Sequence, residues 1–164
     1  MERIISTPDI TIYQGLAAEW PGDEHIDLVF TNPYGYLPSS LVNHPMVLHQ
    51  WIHRKRQLEV WAENLLTHCV GVWNHEREAF WSAHYPRRTI DISEFVPEPG
   101  GWYPEDLVRR LLPQFVCPGQ TVWDGFMGRG TVAKVCRELG VKYVGVEELP
   151  AHVALARDYL EITT

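Results

Sequence analysis

Cysteine is scarce and scattered in this chain: Cys69, Cys117 and Cys136 are odd in number and form no CxxC pair. That pattern argues against a disulfide framework and against a zinc site of ordinary ligand spacing. Long apolar runs are missing too, none approaching the roughly 18 residues that a membrane span needs. The opening "MERIISTPDI" has no apolar signal region and no small-residue cleavage site, so the expectation is a cytoplasmic protein without membrane contact. Positive charge is short: 14 Lys and Arg stand against 21 Asp and Glu, a net charge of −7. Such a balance disfavours broad electrostatic attachment to a phosphate backbone. The two local exceptions are "HRKR" (53–56) and "YPRR" (85–88). Arg54, Lys55, Arg56, Arg87 and Arg88 are therefore the candidate contacts to a polyanion, set against the simpler reading of both runs as solvated faces. Internal repeats and low-complexity segments are absent.

What remains is the material of one ordinary domain. The 164 residues are 45% apolar and 21% charged, with seven Trp and five Phe, enough to bury a core and leave aromatic rings for a site mouth. "ITIY" (10–13) and "IDLVF" (26–30) read as strands bounded by turn formers. Residues 47–66 carry Leu48, Trp51, Ile52, Leu58, Trp61 and Leu65 at helical spacing, which predicts a long amphipathic helix. A buried strand is expected at 69–74, and two more at 79–85 and 88–95 about a turn at Pro86. "FVPEPGG" (95–101) is the strongest internal loop, with two prolines and two glycines. Beyond it the pattern alternates helix, strand, helix, strand and helix, with Pro104 at a first-turn position. That order means a parallel βαβ unit with helices covering the sheet.

Two stretches carry chemistry. "DGFMGRGT" (124–131) lies between a strand and a helix, where glycines let a ligand approach the backbone. Glu147 ends the next strand, 23 residues after Asp124, placed to accept hydrogen bonds from a ribose's hydroxyls. The turn has neither the lysine of a phosphate-binding P-loop nor the third glycine of the dinucleotide fingerprint, which points away from ATP and NAD. The second stretch is "TNPYGYLP" (31–38), directly after an apolar strand. Alone it reads as a β-turn, since Asn-Pro and Tyr-Gly are ordinary turn dipeptides.

Together the two stretches resemble the S-adenosylmethionine-dependent amino-methyltransferases of DNA. In that family a strand ends in DPFxGxGT, and the next ends in G-I-E or G-I-D. Asp124, Phe126, Gly128, Gly130 and Thr131 occupy the first motif here, and Gly145 and Glu147 the second. Gly125 departs from the usual proline. The family's second motif, D/N/S-P-P-Y/F/W, has Asn32 and Pro33 at its first positions here, with Tyr34 in place of the second proline. The acceptor motif precedes the donor motif, as in the permuted "beta" arrangement. Gly15 matches a strand-ending glycine, Leu16 replaces the acid that usually follows it, and Pro104 resembles a proline that touches the donor's methionine end.

The resemblance implies an α/β, three-layer Rossmann-like class I methyltransferase fold, with a mostly parallel sheet, helices on both faces and circularly permuted motif order. Residues 1–164 would form one domain, 1–100 carrying the acceptor motif and 101–164 the donor motif, without a separate target-recognition domain. The implied donor is S-adenosyl-L-methionine, held by Asp124, Phe126, Gly128, Gly130, Thr131, Glu147 and Pro104. Asn32 Oδ1 and the Pro33 carbonyl would accept both N–H bonds of an exocyclic base amine, with Tyr34 or Tyr36 stacked on the extruded base. No metal is expected. The favoured acceptor is adenine N6 in DNA, with a homodimer or a specificity partner assisting. A protein-glutamine or RNA methyltransferase, and a non-catalytic member that binds donor or partner, stay open beside it.

Overall fold

The computed structural model describes residues 1–32, 38–41, 44, 46–49, 69–73, 78–81, 90–91, 95, 98–100, 102 and 104–163. The apolar runs form strands β1 (Glu2–Ser6), β2 (Ile10–Gln14), β3 (Leu28–Thr31), β4 (Met46–His49), β5 (Cys69–Trp73), β6 (Glu78–Trp81) and β7 (Ile90–Asp91). Then follow α1 (Glu105–Leu111), β8 (Thr121–Asp124), α2 (Thr131–Glu138), β9 (Lys142–Glu147) and α3 (Pro150–Tyr159). All nine strands join one sheet in the order β1-β2-β9-β8-β3-β4-β5-β6-β7. The pairs from β2 through β9, β8, β3 and β4 to β5 are parallel. The β1–β2, β5–β6 and β6–β7 pairs are antiparallel. Parallel strands need crossovers, and α2 supplies the one between β8 and β9.

Two strands were not expected from the sequence. In β1 only Ile5 is buried, so this edge strand carries no apolar alternation. Val47 to His49, expected at the start of the long helix, instead lie in β4, where Phe30 faces Val47 and Thr31 faces Leu48. A short apolar run has no periodicity of its own to distinguish strand from helix, and here parallel neighbours on both sides decide it. The rest of that expected helix lies outside the described residues.

Strand alternation splits the core into two layers. Ile10, Ile12, Leu28, Phe30, Val122 and Tyr143 pack with Leu107, Val108 and Leu111 of α1, Val132, Ala133, Val135 and Cys136 of α2, and Ala156 of α3. On the opposite face Tyr13, Val29, Trp123, Val144 and Val146 meet Ala17, Trp20, Ile26 and Leu41. All three described α-helices thus cover one face. Among the described residues, the cover of the other comes from the 3₁₀ turns Ala17–Glu19 and Ser39–Leu41, with Trp20 tilted against Trp123 at 5.8 Å.

Two glycines are required by aromatic rings two positions earlier on the same strand face. A Cβ on Gly125 would lie 2.1 Å from Cη2 of the fully buried Trp123. A Cβ on Gly145 would lie 2.6 Å from Cε1 of Tyr143. This accounts for glycine at 125: the Trp123 indole fills the space that a proline ring would take. Gly125→Ala should therefore destabilise the fold by about 1–3 kcal/mol in urea denaturation, the usual cost of overpacking. Measured in a Trp123→Leu background, the same Gly125→Ala change should cost much less, the coupling expected of residues in contact; equal stability of Gly125→Ala and the parent would contradict the packing account.

Candidate functional site

Asp124, Thr31, Asn32, Thr131 and Glu147 are buried polar residues, and all lie at the carboxyl ends of β8, β3 and β9 or at the start of α2. From β8 the chain passes to β9 on one side, while β3 leads to β4 on the other. The crevice above β8 and β3 is therefore the topological switch point, where open α/β sheets bind ligands. Thr31 and Asn32 of one stretch singled out above and residues 124–131 of the other converge there.

Asp124 ties them together. Its Oδ1 accepts a hydrogen bond from the Thr31 hydroxyl at 2.7 Å, across 93 residues of sequence, and one from the Phe126 amide at 3.2 Å. Its Oδ2 accepts from the Tyr143 hydroxyl at 3.0 Å. Room for the Tyr143 ring comes from the missing side chain at Gly145. Complete burial lifts the Asp124 carboxyl to about 6, against the lowering pull of these three donors, and nearby Glu147 adds to the rise. Asp124 is thus a fully enclosed carboxylate bracing the site, with no surface of its own toward solvent.

The glycine-rich turn wraps over the neighbouring strand end. Gly128 and Gly130 have φ of +58° and +89°, a left-handed conformation in which L side chains are strained. Their conformation aims the Gly128 amide at Glu147 Oε2, 2.7 Å away, while Oε1 of the same carboxylate accepts from the Leu149 amide at 2.9 Å. His152 Nδ1 lies 3.4 Å from Oε1. The Met127 amide donates to the Val146 carbonyl and the Gly15 amide to the Glu147 carbonyl, each at 3.0 Å, so three segments meet around one acid. Phe126 is half-buried against the Trp123 layer, and Thr131 opens α2 with its side chain enclosed.

The segment before α1 closes the other side of the turn. Pro104 is buried and flanks the helix with extended backbone, so α1 begins one residue later than expected, at Glu105. The Glu98 carboxylate accepts from the Glu105 amide at 3.3 Å and forms an ion pair with Arg129. Trp102 lies so close that a Cβ on Gly128 would be 2.8 Å from its ring, and it meets His152 edge-on at 5.4 Å. Arg129 spans the Trp102 and Tyr159 rings. Beneath, burial raises the Glu105 carboxyl, but Lys134, Tyr159 and Arg109 more than offset this and hold it at about 2.

Asn32, Asp124, Phe126, Gly128, Gly130, Thr131 and Glu147 are thus brought to one end of the sheet, with Pro104 on the adjoining segment. Pro33, Tyr34, Tyr36, Arg54, Lys55, Arg56, Arg87 and Arg88 lie outside the described residues. Thr31, Tyr143, Glu98, Trp102 and Arg129 belong to the same assembly but were not singled out in the sequence. A polar residue closing an apolar strand was the available signal for Thr31, and the Tyr-Val-Gly spacing was that for Tyr143. Among the described residues no helix is long and apolar enough to cross a membrane.

The Asp124 shift has a fixed sign. The folded chain holds this proton up to about 6 while the ordinary value is 3.8, so its contribution to stability is full below pH 3.8 and lost as pH rises through about 6. Two units correspond to at most ~3 kcal/mol. Asp124→Asn, which cannot ionise, should gain stability relative to the parent by up to that amount between pH 4 and pH 8 in urea titrations. A stability difference that stays flat over this range would contradict the buried-charge assignment.

The chain is similar to known proteins in sequence and in fold. The N6/N4 methyltransferase family, described as DNA methylase, matches residues 26–158. The Type II methyltransferase M.XycI of Xanthomonas campestris pv. cyanopsidis is 27% identical over 146 residues, covering 82% of this chain and 43% of that protein. The Type II methyltransferase M.Cfr9I of Citrobacter freundii is 26% identical over 139 residues, with the same coverage. The chain therefore matches somewhat less than half the length of these curated relatives. In fold it resembles the crystal structure of M1.HpyAVI, with a TM-score of 0.60 at 20% identity over 93% of this chain and 99% of that one. The M1.HpyAVI–SAM complex gives the same TM-score at 18% identity, over 92% and 99%. Since the family match runs from just before β3 into α3 and so covers most of the chain, the chain belongs to the DNA methylase family of N6/N4 methyltransferases.

Proposed function

We propose that this chain transfers a methyl group from S-adenosyl-L-methionine to an exocyclic amine of a nucleic-acid base, adenine N6 in DNA being the favoured acceptor. The observation that carries this reading is the Thr31–Asp124 bond, which sets Asn32 beside the start of the glycine-rich turn at the switch point.

The residues present fit the donor. Gly128 and Gly130 leave a turn whose backbone a ligand can approach, and any Cβ at Gly128 would strike Trp102. Each Glu147 carboxylate oxygen accepts one amide hydrogen bond and keeps a further lone pair, which suits a ribose diol. Glu147 and the turn would hold the nucleoside, and the segment from Glu98 to Pro104 the other end. When bound, the donor supplies an electrophilic methyl group on a sulfonium centre.

The chain's own residues prepare the acceptor. An exocyclic amine is a poor nucleophile because its lone pair is delocalised into the ring. Asn32 Oδ1 and the Pro33 carbonyl accept its two N–H bonds, drawing the nitrogen toward tetrahedral geometry and freeing the lone pair. Tyr34 or Tyr36 stacks on the flipped base and holds it in line. No strong base is needed for this, only alignment. Of the three departures that favour a non-catalytic member, Gly125, Leu16 and Tyr34, the glycine at 125 is accounted for by Trp123 packing. DNA is the proposed partner, with a second copy or a specificity subunit assisting sequence reading; label transferred only to RNA or to protein would identify the other acceptor classes.

Asn32→Ala should lower methyl transfer to DNA by at least about 100-fold while donor affinity, read by calorimetry, stays close to that of the parent. An equal loss of donor binding would make Asn32 a donor or folding residue. Glu147→Ala should act in reverse, weakening donor binding by roughly 10-fold or more; unchanged affinity would remove the ribose assignment.

A further inference from the structure

The parallel ladder between the two strands that carry the site is short. It pairs Leu28 with Val122 and Val29 with Trp123. On their outer flanks Thr31 pairs with Leu48 of β4 and Asp124 with Gly145 of β9. Across the crevice itself, the bond from the Thr31 hydroxyl to Asp124 Oδ1 continues where the ladder stops. The same oxygen accepts the Phe126 amide at the start of the glycine-rich turn. One carboxylate oxygen therefore joins the residue before Asn32 to the second residue after β8.

We propose that Thr31 is a positioning residue: its hydroxyl fixes the spacing between Asn32 and the glycine-rich turn, and with it the alignment of acceptor and donor. This rests on the methyl-transfer reading above. Thr31 itself touches neither reactant; it is fully buried and acts through Asp124. A spacing role and a filling role differ chemically. Valine has the shape of threonine without the donor, whereas serine keeps the donor and loses the methyl.

The link is also sensitive to protonation. The groups facing Asp124 are the Thr31 hydroxyl of β3, the Tyr143 hydroxyl and Glu147 of β9, the Phe126 amide, and Cys136 of α2. The Thr31 hydroxyl favours the charged carboxylate, so its removal raises the Asp124 carboxyl further. The acid limb of activity then moves to higher pH.

Thr31→Val and Thr31→Ser, in the full chain, test this against the parent by three measurements. Turnover on DNA should fall by on the order of 100-fold in Thr31→Val, with its acid limb shifted upward, while binding of S-adenosylhomocysteine changes less than about 3-fold. Amide hydrogen exchange without ligand should quicken at Asn32 and Phe126 by at least about 10-fold. Thr31→Ser should restore all three toward the parent. Parent-like turnover and exchange in Thr31→Val would overturn the proposal, and so would equal losses in both variants, which would assign Thr31 to packing. If the parent itself transfers no methyl group, the function reading fails, and amide exchange still decides whether the hydroxyl couples Asn32 to the glycine-rich turn.

Discussion

A single buried carboxylate organises this molecule. Asp124 sits fully enclosed at the end of β8, where an unpartnered ion would be prohibitively costly. The Thr31 hydroxyl, the Tyr143 hydroxyl and the Phe126 amide offset part of that cost, and each comes from a different segment. Satisfying one charge therefore fixes the relative positions of β3, β9 and the glycine-rich turn. The chemistry proposed for the crevice uses that geometry without asking Asp124 to touch a reactant.

Space is set by the same region. Trp123 and Tyr143 are large rings on adjacent strands, each facing a glycine two residues on. Trp123 fills the layer shared with Trp20 and Leu41, and Tyr143 the layer shared with the three helices. Without Gly145 the Tyr143 ring would clash, and its hydroxyl could not reach Asp124. Core packing and site electrostatics are thus one arrangement viewed from its apolar and polar ends. The ion pairs beneath, centred on Glu105 and Arg109, bind α1 to α2 and steady the segment bearing Trp102.

Much of this was legible in the sequence, for physical reasons. Glycines between an apolar strand and a helix, followed by a strand ending in Glu147, mark a parallel βαβ unit by local rules, and the fold follows that order. Asn32 stood out because a polar amide closing an apolar strand needs a reason, and the fold buries it at the end of β3. The bracing residues were not legible: the Thr31–Asp124 and Glu98–Arg129 pairs join positions far apart in sequence. No local pattern announces such pairs. β1 escaped because an exposed edge strand has little apolar alternation, and β4 because four apolar-rich residues carry no period.

The central claim is that the crevice above β3 and β8 methylates a base amine. Incubating the chain with methyl-labelled S-adenosylmethionine and DNA, then digesting the DNA to nucleosides and resolving them by mass spectrometry, tests it most directly. The account predicts label on the exocyclic nitrogen of adenine. Label confined to protein, or donor bound with no methylated nucleoside formed, would contradict it.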